Sequence, residues 1–166
     1  MLFSMPIYTL NNLYRLNPTP KSYKTLEDSL VLVRDSIQTE NEDEISFSYL
    51  ISIAPTQEEK NIIATIRDDE IKHYKYFKEI YMFYTGQDIS PPPIANVLRP
   101  KSYIEGITNA EFSELDLVER YRDIRAGLPD EYYRDMVFEI ITDELKHTHK
   151  YEYILYLSLI TAGKST

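Results

Sequence analysis

The chain has 166 residues, 43% of them hydrophobic, with a formal net charge of -9 from 18 Lys and Arg against 27 Asp and Glu. That length suits one compact domain, and the charge repels a nucleic-acid backbone or an anionic membrane surface. The absence of cysteine excludes disulfides, thiolate catalysis, Cys-held zinc and iron–sulfur or rubredoxin-type centres, so any metal has to be held by carboxylate and imidazole. No signal-peptide pattern opens the sequence and no 18-residue apolar run occurs in it, so the expectation is a cytoplasmic protein without a membrane partner.

Residues 1–24 carry Pro6, Pro18 and Pro20 with Asn11, Asn12 and Asn17, which predicts an irregular arm laid on the domain. From Thr25, the residues Val33, Ile37, Glu40, Glu44, Phe47, Ile51 and Ala54 recur at steps of three and four. This is the spacing of one helical face, and it predicts a first helix over about 25–54. Pro55 interrupts it, and Thr56 with Glu59 has the form of a capping box. A second helix is expected over about 56–85, with the stripe Ile62, Ile66, Glu70, His73, Phe77, Ile80 and Tyr84.

Gly86 closes that helix. Pro91, Pro92, Pro93 and Pro100 then rule out a helical interior for the next segment, a long crossover. The third helix, over about 103–127, starts between Ser102 and Thr108 and presents Ile107, Glu111, Glu114, Val118, Tyr121, Arg125 and Leu128. Asp130 can cap a fourth, over about 130–161, whose face is Val137, Ile140, Glu144, His147, Tyr151, Ile154 and Ser158. No strand and no Gly-rich phosphate loop is left over. Four long helices forming two tight hairpins joined by a Pro-rich crossover predict an all-α, ferritin-like four-helix bundle, one domain spanning 25–162.

Two stretches nearly repeat, IRDDEIKH over 66–73 and ITDELKH over 141–147, and together they hold two of the three histidines. A shift of 74 residues places Glu40 on Glu114, Pro55 on Pro129, Glu70 on Glu144 and His73 on His147. Glu40 lies 15 residues before Pro55 and Glu70 lies 15 after it, and Glu114 and Glu144 stand in the same relation to Pro129. At about 1.5 Å per helical residue, positions equidistant from a tight turn stand at one height, roughly 22 Å up adjacent antiparallel helices. His73 and His147 follow their glutamates by three positions and share their faces, so four carboxylates and two imidazoles converge on the bundle axis.

Four carboxylates cannot stay ionised in an apolar core without cations. Two divalent metals offset them, and mixed oxygen and nitrogen ligation suits iron or manganese better than calcium. One Glu from each of two helices and a Glu-x-x-His from each of the other two is the general description of di-iron and di-manganese carboxylate bundles. A lone Glu-x-x-His is a common surface pair, whereas two in register, each with an upstream glutamate, form a site.

On Glu40, Glu114, the motifs EIKH at Glu70 to His73 and ELKH at Glu144 to His147, and the stretch YLISIA at Tyr49 to Ala54, the chain resembles the rubrerythrin-related group of the ferritin-like superfamily over about 25–160. The resemblance implies a carboxylate-bridged centre of two metal ions, iron ahead of manganese, that handles peroxide or dioxygen or oxidises Fe(II). Rubrerythrins proper carry a further ligand glutamate where this chain has Leu117, and a Cys-rich rubredoxin module that it lacks, so an external electron donor is required.

The expected metal ligands are therefore Glu40, Glu70, His73, Glu114, Glu144 and His147. The first reading is an oxidoreductase acting on peroxide or dioxygen with that donor. The alternatives are a ferroxidase-type iron-handling protein and a structural bundle whose carboxylates and histidines form a protonated network. Glu44 and Glu111 fall on the same stripes but lack carboxylate mates in the repeat, so partial burial near a bundle end is expected for each, the alternative being a further metal ligand, and His149 is expected on the surface. Asp69 and Asp143 are expected to be solvated or paired with lysines, the alternative being that each orients a histidine of a neighbouring helix. Phe47, Phe77, Tyr121 and Tyr151 read as core, with the tyrosines available as hydrogen-bond partners. The 15 tyrosines and the crossover fit a homodimer surface.

Overall fold

Proline placement decides where the helices stop. A residue before proline is driven out of the helical region, and Ala54 (ψ 133°) and Leu128 (ψ 126°) are accordingly extended, just ahead of Pro55 and Pro129. In the computed structural model, which describes residues 24–91 and 99–163, the helices are α1 (Leu26–Ile53), α2 (Gln57–Thr85), α3 (Tyr103–Gly127) and α4 (Glu131–Gly163). No strand occurs among the described residues. The arm expected over 1–24 lies outside them apart from Lys24, as do Pro92 and Pro93 of the crossover.

Each helix start has its own cap. Thr25 and Asp28 form a reciprocal capping box on α1, with the Asp28 N–H donating to Thr25 Oγ1 (3.1 Å) and the Thr25 N–H to Asp28 Oδ2 (3.0 Å). On α2 the Thr56 hydroxyl accepts from the Glu59 N–H at 3.2 Å, and on α3 the Ser102 hydroxyl accepts from the Glu105 N–H at 3.1 Å. Asp130 accepts from the Tyr132 N–H at 2.9 Å at the head of α4. Gly86 ends α2 in the left-handed region (φ 69°), its N–H bonded to Met82 O at 2.8 Å, a conformation that costs a side chain dearly and glycine nothing.

The helices form an all-α four-helix bundle in which α1·α2 and α3·α4 pack as hairpins; α1 also packs on α3 and α2 on α4, while the diagonal pairs make no backbone approach. Cross-links fix the directions. Ser29 Oγ donates to Ile124 O and Arg120 to Thr39 Oγ1, so α3 runs antiparallel to α1. Lys72 meets Glu139 while Tyr153 donates to Glu58, so α4 runs antiparallel to α2. The two hairpin turns therefore lie at opposite ends, and the halves are related by a pseudo-twofold axis across the bundle. Gly127 is required where α3 ends against the start of α1, because a Cβ there would run into Ser29 Oγ and the Thr25 carbonyl.

Two apolar clusters fill the interior. One holds Ile37, Phe77, Leu117, Tyr121 and Val137; the other holds Phe47, Ile66, Ile107, Tyr151 and Ile154. Burying each such side chain stabilises the fold by about 1.5–3 kcal/mol. Between the clusters lies a layer of charge.

Candidate metal centre

That layer consists of Glu40, Glu70, His73, Glu114, Glu144 and His147, one or two residues from every helix, all at most 2% exposed. Their potential ligand atoms fall into two groups, each within 4.8 Å: Glu40, Glu70, His73 and Glu144, and Glu70, Glu114, Glu144 and His147. Glu70 and Glu144 belong to both. His73 Nδ1 lies 3.1 Å from Glu70 Oε2, 3.1 Å from Glu144 Oε1 and 3.8 Å from Glu40 Oε2. His147 Nδ1 lies 3.0 Å from Glu144 Oε2, 3.1 Å from Glu70 Oε1 and 3.8 Å from Glu114 Oε1. Glu70 and Glu144 thus turn one oxygen toward each histidine, while Glu40 and Glu114 close opposite ends. The imidazole rings stand 5.9 Å apart.

The outer nitrogens are held just as symmetrically. His73 Nε2 faces Asp143 Oδ2 at 3.3 Å, and His147 Nε2 faces Asp69 Oδ2 at 3.1 Å. These bonds fix which nitrogen turns inward. Asp143 is only 2% exposed, so of its expected roles lysine pairing and the alternative, orienting a neighbouring helix's histidine, hold and solvation does not: one residue before Glu144, it is rotated about 100° around α4, into the α2–α4 seam. Asp69 is half-buried beside His147. Both aspartates also meet lysines as expected, with Lys72 Nζ 2.7 Å from Asp143 and 3.6 Å from Asp69, Lys146 against Asp143, and Lys150 3.7 Å from Asp69. These lysines, flanking the motif histidines at the surface, were legible only as charge.

Tyr121, fully buried and packed at a tilt on Phe77 with ring centroids 4.9 Å apart, donates its hydroxyl to Glu40 Oε1. Tyr151, equally buried and 6.2 Å from Phe47, has a hydroxyl with no hydrogen-bond partner. Glu44 is exposed and Glu111 half-buried, and neither joins the cluster. His149 is exposed and pairs with Glu152 at 3.2 Å.

Charges in the layer are set by burial and by one another. Burial, then Glu70, raises Glu40 well above the carboxylate range; burial, then Glu144 and Glu70, does the same to Glu114. Burial also pushes Glu70 up, but hydrogen bonds from His147 and His73 outweigh it and hold Glu70 well below its ordinary value. Burial pulls both imidazoles down; Asp143, Glu144 and Glu70 overcome this and lift His73 far up, while Asp69, Glu144 and Glu70 lift His147 to about 10. The environment therefore favours protons on both imidazoles, on Glu40 and on Glu114, and disfavours one on Glu70.

Protons satisfy this layer incompletely. Oε2 of Glu40, Oε1 of Glu70, both oxygens of Glu114 and Oε1 of Glu144 are buried without a hydrogen-bond partner. The reason is geometric: His73 Nδ1 bonds Glu70 and leaves Glu144 Oε1 over, and His147 Nδ1 bonds Glu144 and leaves Glu70 Oε1 over. One N–H serves one acceptor well, whereas a divalent cation accepts several oxygens and a nitrogen at once. The donor set fits metal ions.

Fold and site together define a four-helix bundle with a buried glutamate and histidine cluster able to hold metal. No protein-family model, curated protein or solved structure matches the chain. Among the described residues, no helix is long and apolar enough to cross a membrane.

Proposed function

We propose that this chain is a di-metal carboxylate protein of the ferritin-like, rubrerythrin-related kind, an oxidoreductase that reduces peroxide or dioxygen with electrons from an external donor. The observation that carries the reading is the sharing of Glu70 and Glu144 between two four-residue groups. Two groups sharing two carboxylates fit a bridged pair of ions better than two separate sites. Glu70 and Glu144 would be shared by the two ions, with Glu40 and His73 holding one and Glu114 and His147 the other. Iron is the metal this reading favours, with manganese as the substitute, since both accept carboxylate with imidazole.

When bound, a redox-active metal pair supplies the electrons that cleave the O–O bond; for peroxide, two electrons and two protons yield two waters. The chain's own residues orient and enclose. Asp143 and Asp69 hold the histidines with Nδ1 inward, Tyr121 holds Glu40, and the apolar clusters on either side keep bulk water from the centre. With no cysteine in the chain, electrons have to arrive from a separate donor, and the exposed aromatic side chains suit a homodimer contact.

The test is anaerobic loading with Fe(II), metal analysis, and peroxide turnover with a reduced donor. Turnover that requires both bound metals supports the reading; a fully loaded protein that consumes neither peroxide nor dioxygen refutes the oxidoreductase assignment. Gel filtration separates a dimer from a storage cage, which is far larger.

A further inference from the structure

The 74-residue repeat relates the six residues of the layer, yet it breaks just outside them, in the α2–α4 seam, around the lysine of each motif. Lys72 and Lys146 are mates in the repeat. Lys72 crosses the seam: its Nζ stands 2.7 Å from Asp143 Oδ2, 3.0 Å from Glu139 Oε1 and 3.6 Å from Asp69 Oδ1. Lys146 stays on its own helix, paired with Asp143 three residues before it, and its side chain is 62% exposed against 33% for Lys72. The sequence accounts for the difference. The carboxylate that draws Lys72 across is Glu139, whose mate is Thr65, and the ring beside Lys72, Tyr76 at 6.0 Å, has Lys150 as its mate. Lys146 lacks the counterparts of both.

Among the described residues, Lys72 is consequently the one cation within ion-pair distance of both aspartates behind the histidines; Lys146 reaches only Asp143 and Lys150 only Asp69. Those aspartates hold His73 Nε2 at 3.3 Å and His147 Nε2 at 3.1 Å. The acceptor of the His73 bond, Asp143 Oδ2, is the atom that Lys72 takes at 2.7 Å. A carboxylate behind a ligating imidazole makes that imidazole a stronger donor, and an ammonium on the carboxylate draws the charge back. The ammonium, one residue removed from each imidazole, also acts through space, and its half-buried setting screens it less than a free surface lysine.

Resting on the two-metal reading above, we propose that Lys72 is a positioning residue that acts through Asp143 and Asp69 on the metal pair and raises its reduction potential. Each Fe(III) that takes one electron from the external donor becomes Fe(II), so the pair loses positive charge on reduction. A cation at Lys72 favours that change through space, and its grip on the aspartates weakens donation from the imidazoles. Both effects have the same sign. Lys72 thereby keeps the oxidised pair within reach of the donor.

Anaerobic redox titration of the full chain loaded with iron, followed by visible absorption in the presence of mediators, tests this. The proteins compared are the natural chain, Lys72→Met, Lys72→Arg and Lys146→Met, each with its bound iron counted. At a fixed potential Lys72→Met should move the Fe(III)/Fe(II) ratio about three- to tenfold toward Fe(III), as befits one half-buried charge at that remove. Lys72→Arg keeps the charge and Lys146→Met removes one from an exposed position, so both should stay within about twofold of the natural chain. A second measurement involves no electron transfer: in the Zn(II)-loaded protein, the proton NMR signal of His73 Nε2–H should move downfield in Lys72→Met, as Asp143 is freed to accept it more strongly. A Lys72→Met chain with both irons bound and a ratio within about twofold of the natural one, or a Lys146→Met shift as large as that of Lys72→Met, would overturn the proposal while leaving the two-metal reading intact. Fewer than about one iron per natural chain would overturn both.

Discussion

Loading the centre with metal should expel protons. In the metal-free layer His73 and His147 are imidazolium at neutral pH, because the carboxylates around them outweigh burial, and Glu40 and Glu114 keep their protons, because burial and neighbouring carboxylates raise them. A ligating imidazole or carboxylate has to give up its proton, so two divalent ions displace about four protons and leave the buried charge unchanged. The product of the two apparent association constants should then rise with pH, by at least about a hundredfold per pH unit between about pH 6 and 8 from the two imidazoles alone, with the raised glutamates adding to the slope. The window is set by His147, whose proton is held up to about 10. Calorimetric titration with Co(II) in buffers of different ionisation enthalpy counts the protons directly. Release of about two or fewer per metal pair would show that the glutamates are ionised or the histidines neutral before metal arrives, and would refute this account of the layer.

Asp143→Ala removes the partner of His73 Nε2 and should weaken metal binding about 10–100-fold without changing the fold, measured by the same titration. The metal-free protein should lose thermal stability as pH rises: the raised imidazoles stabilise it fully below about 6.5 and cease to do so as pH climbs through the folded value, about 10 for His147. Glu40 and Glu114 act in the same direction, whereas the depressed Glu70 and Asp143 remove stability only as pH falls through and below their ordinary range; melting temperatures across pH, with and without metal, check the sign. Gly127→Ala should destabilise by about 1–3 kcal/mol in chemical denaturation, because its Cβ meets Ser29 and the Thr25 carbonyl at the junction of α1 and α3.

The architecture was legible because its signals were local and redundant. Pro55 and Pro129 ended helices through the conformations they impose on Ala54 and Leu128, and equal intervals to those prolines gave the heights of Glu40, Glu70, Glu114 and Glu144. Periodicity says which face a residue occupies, and the six residues it marked are the six that converge. It says much less at the edge of a face. Asp69 and Asp143 sit beside the motif glutamates in sequence, and only the packing of α2 on α4 reveals that each reaches the histidine of the other helix. The reciprocal cap at Thr25 and Asp28, by contrast, was present in the letters as a Thr-x-x-Asp and was overlooked.

The central claim is that one chain holds two metal ions bridged by Glu70 and Glu144. Elemental analysis of the chain loaded anaerobically with Fe(II), freed of excess metal and compared with Glu70→Ala and Glu144→Ala chains, tests it most directly. The account predicts about two metals in the natural chain and loss of the paired site in each variant. Fewer than about one metal in the natural chain, or both metals retained in either variant, would contradict it.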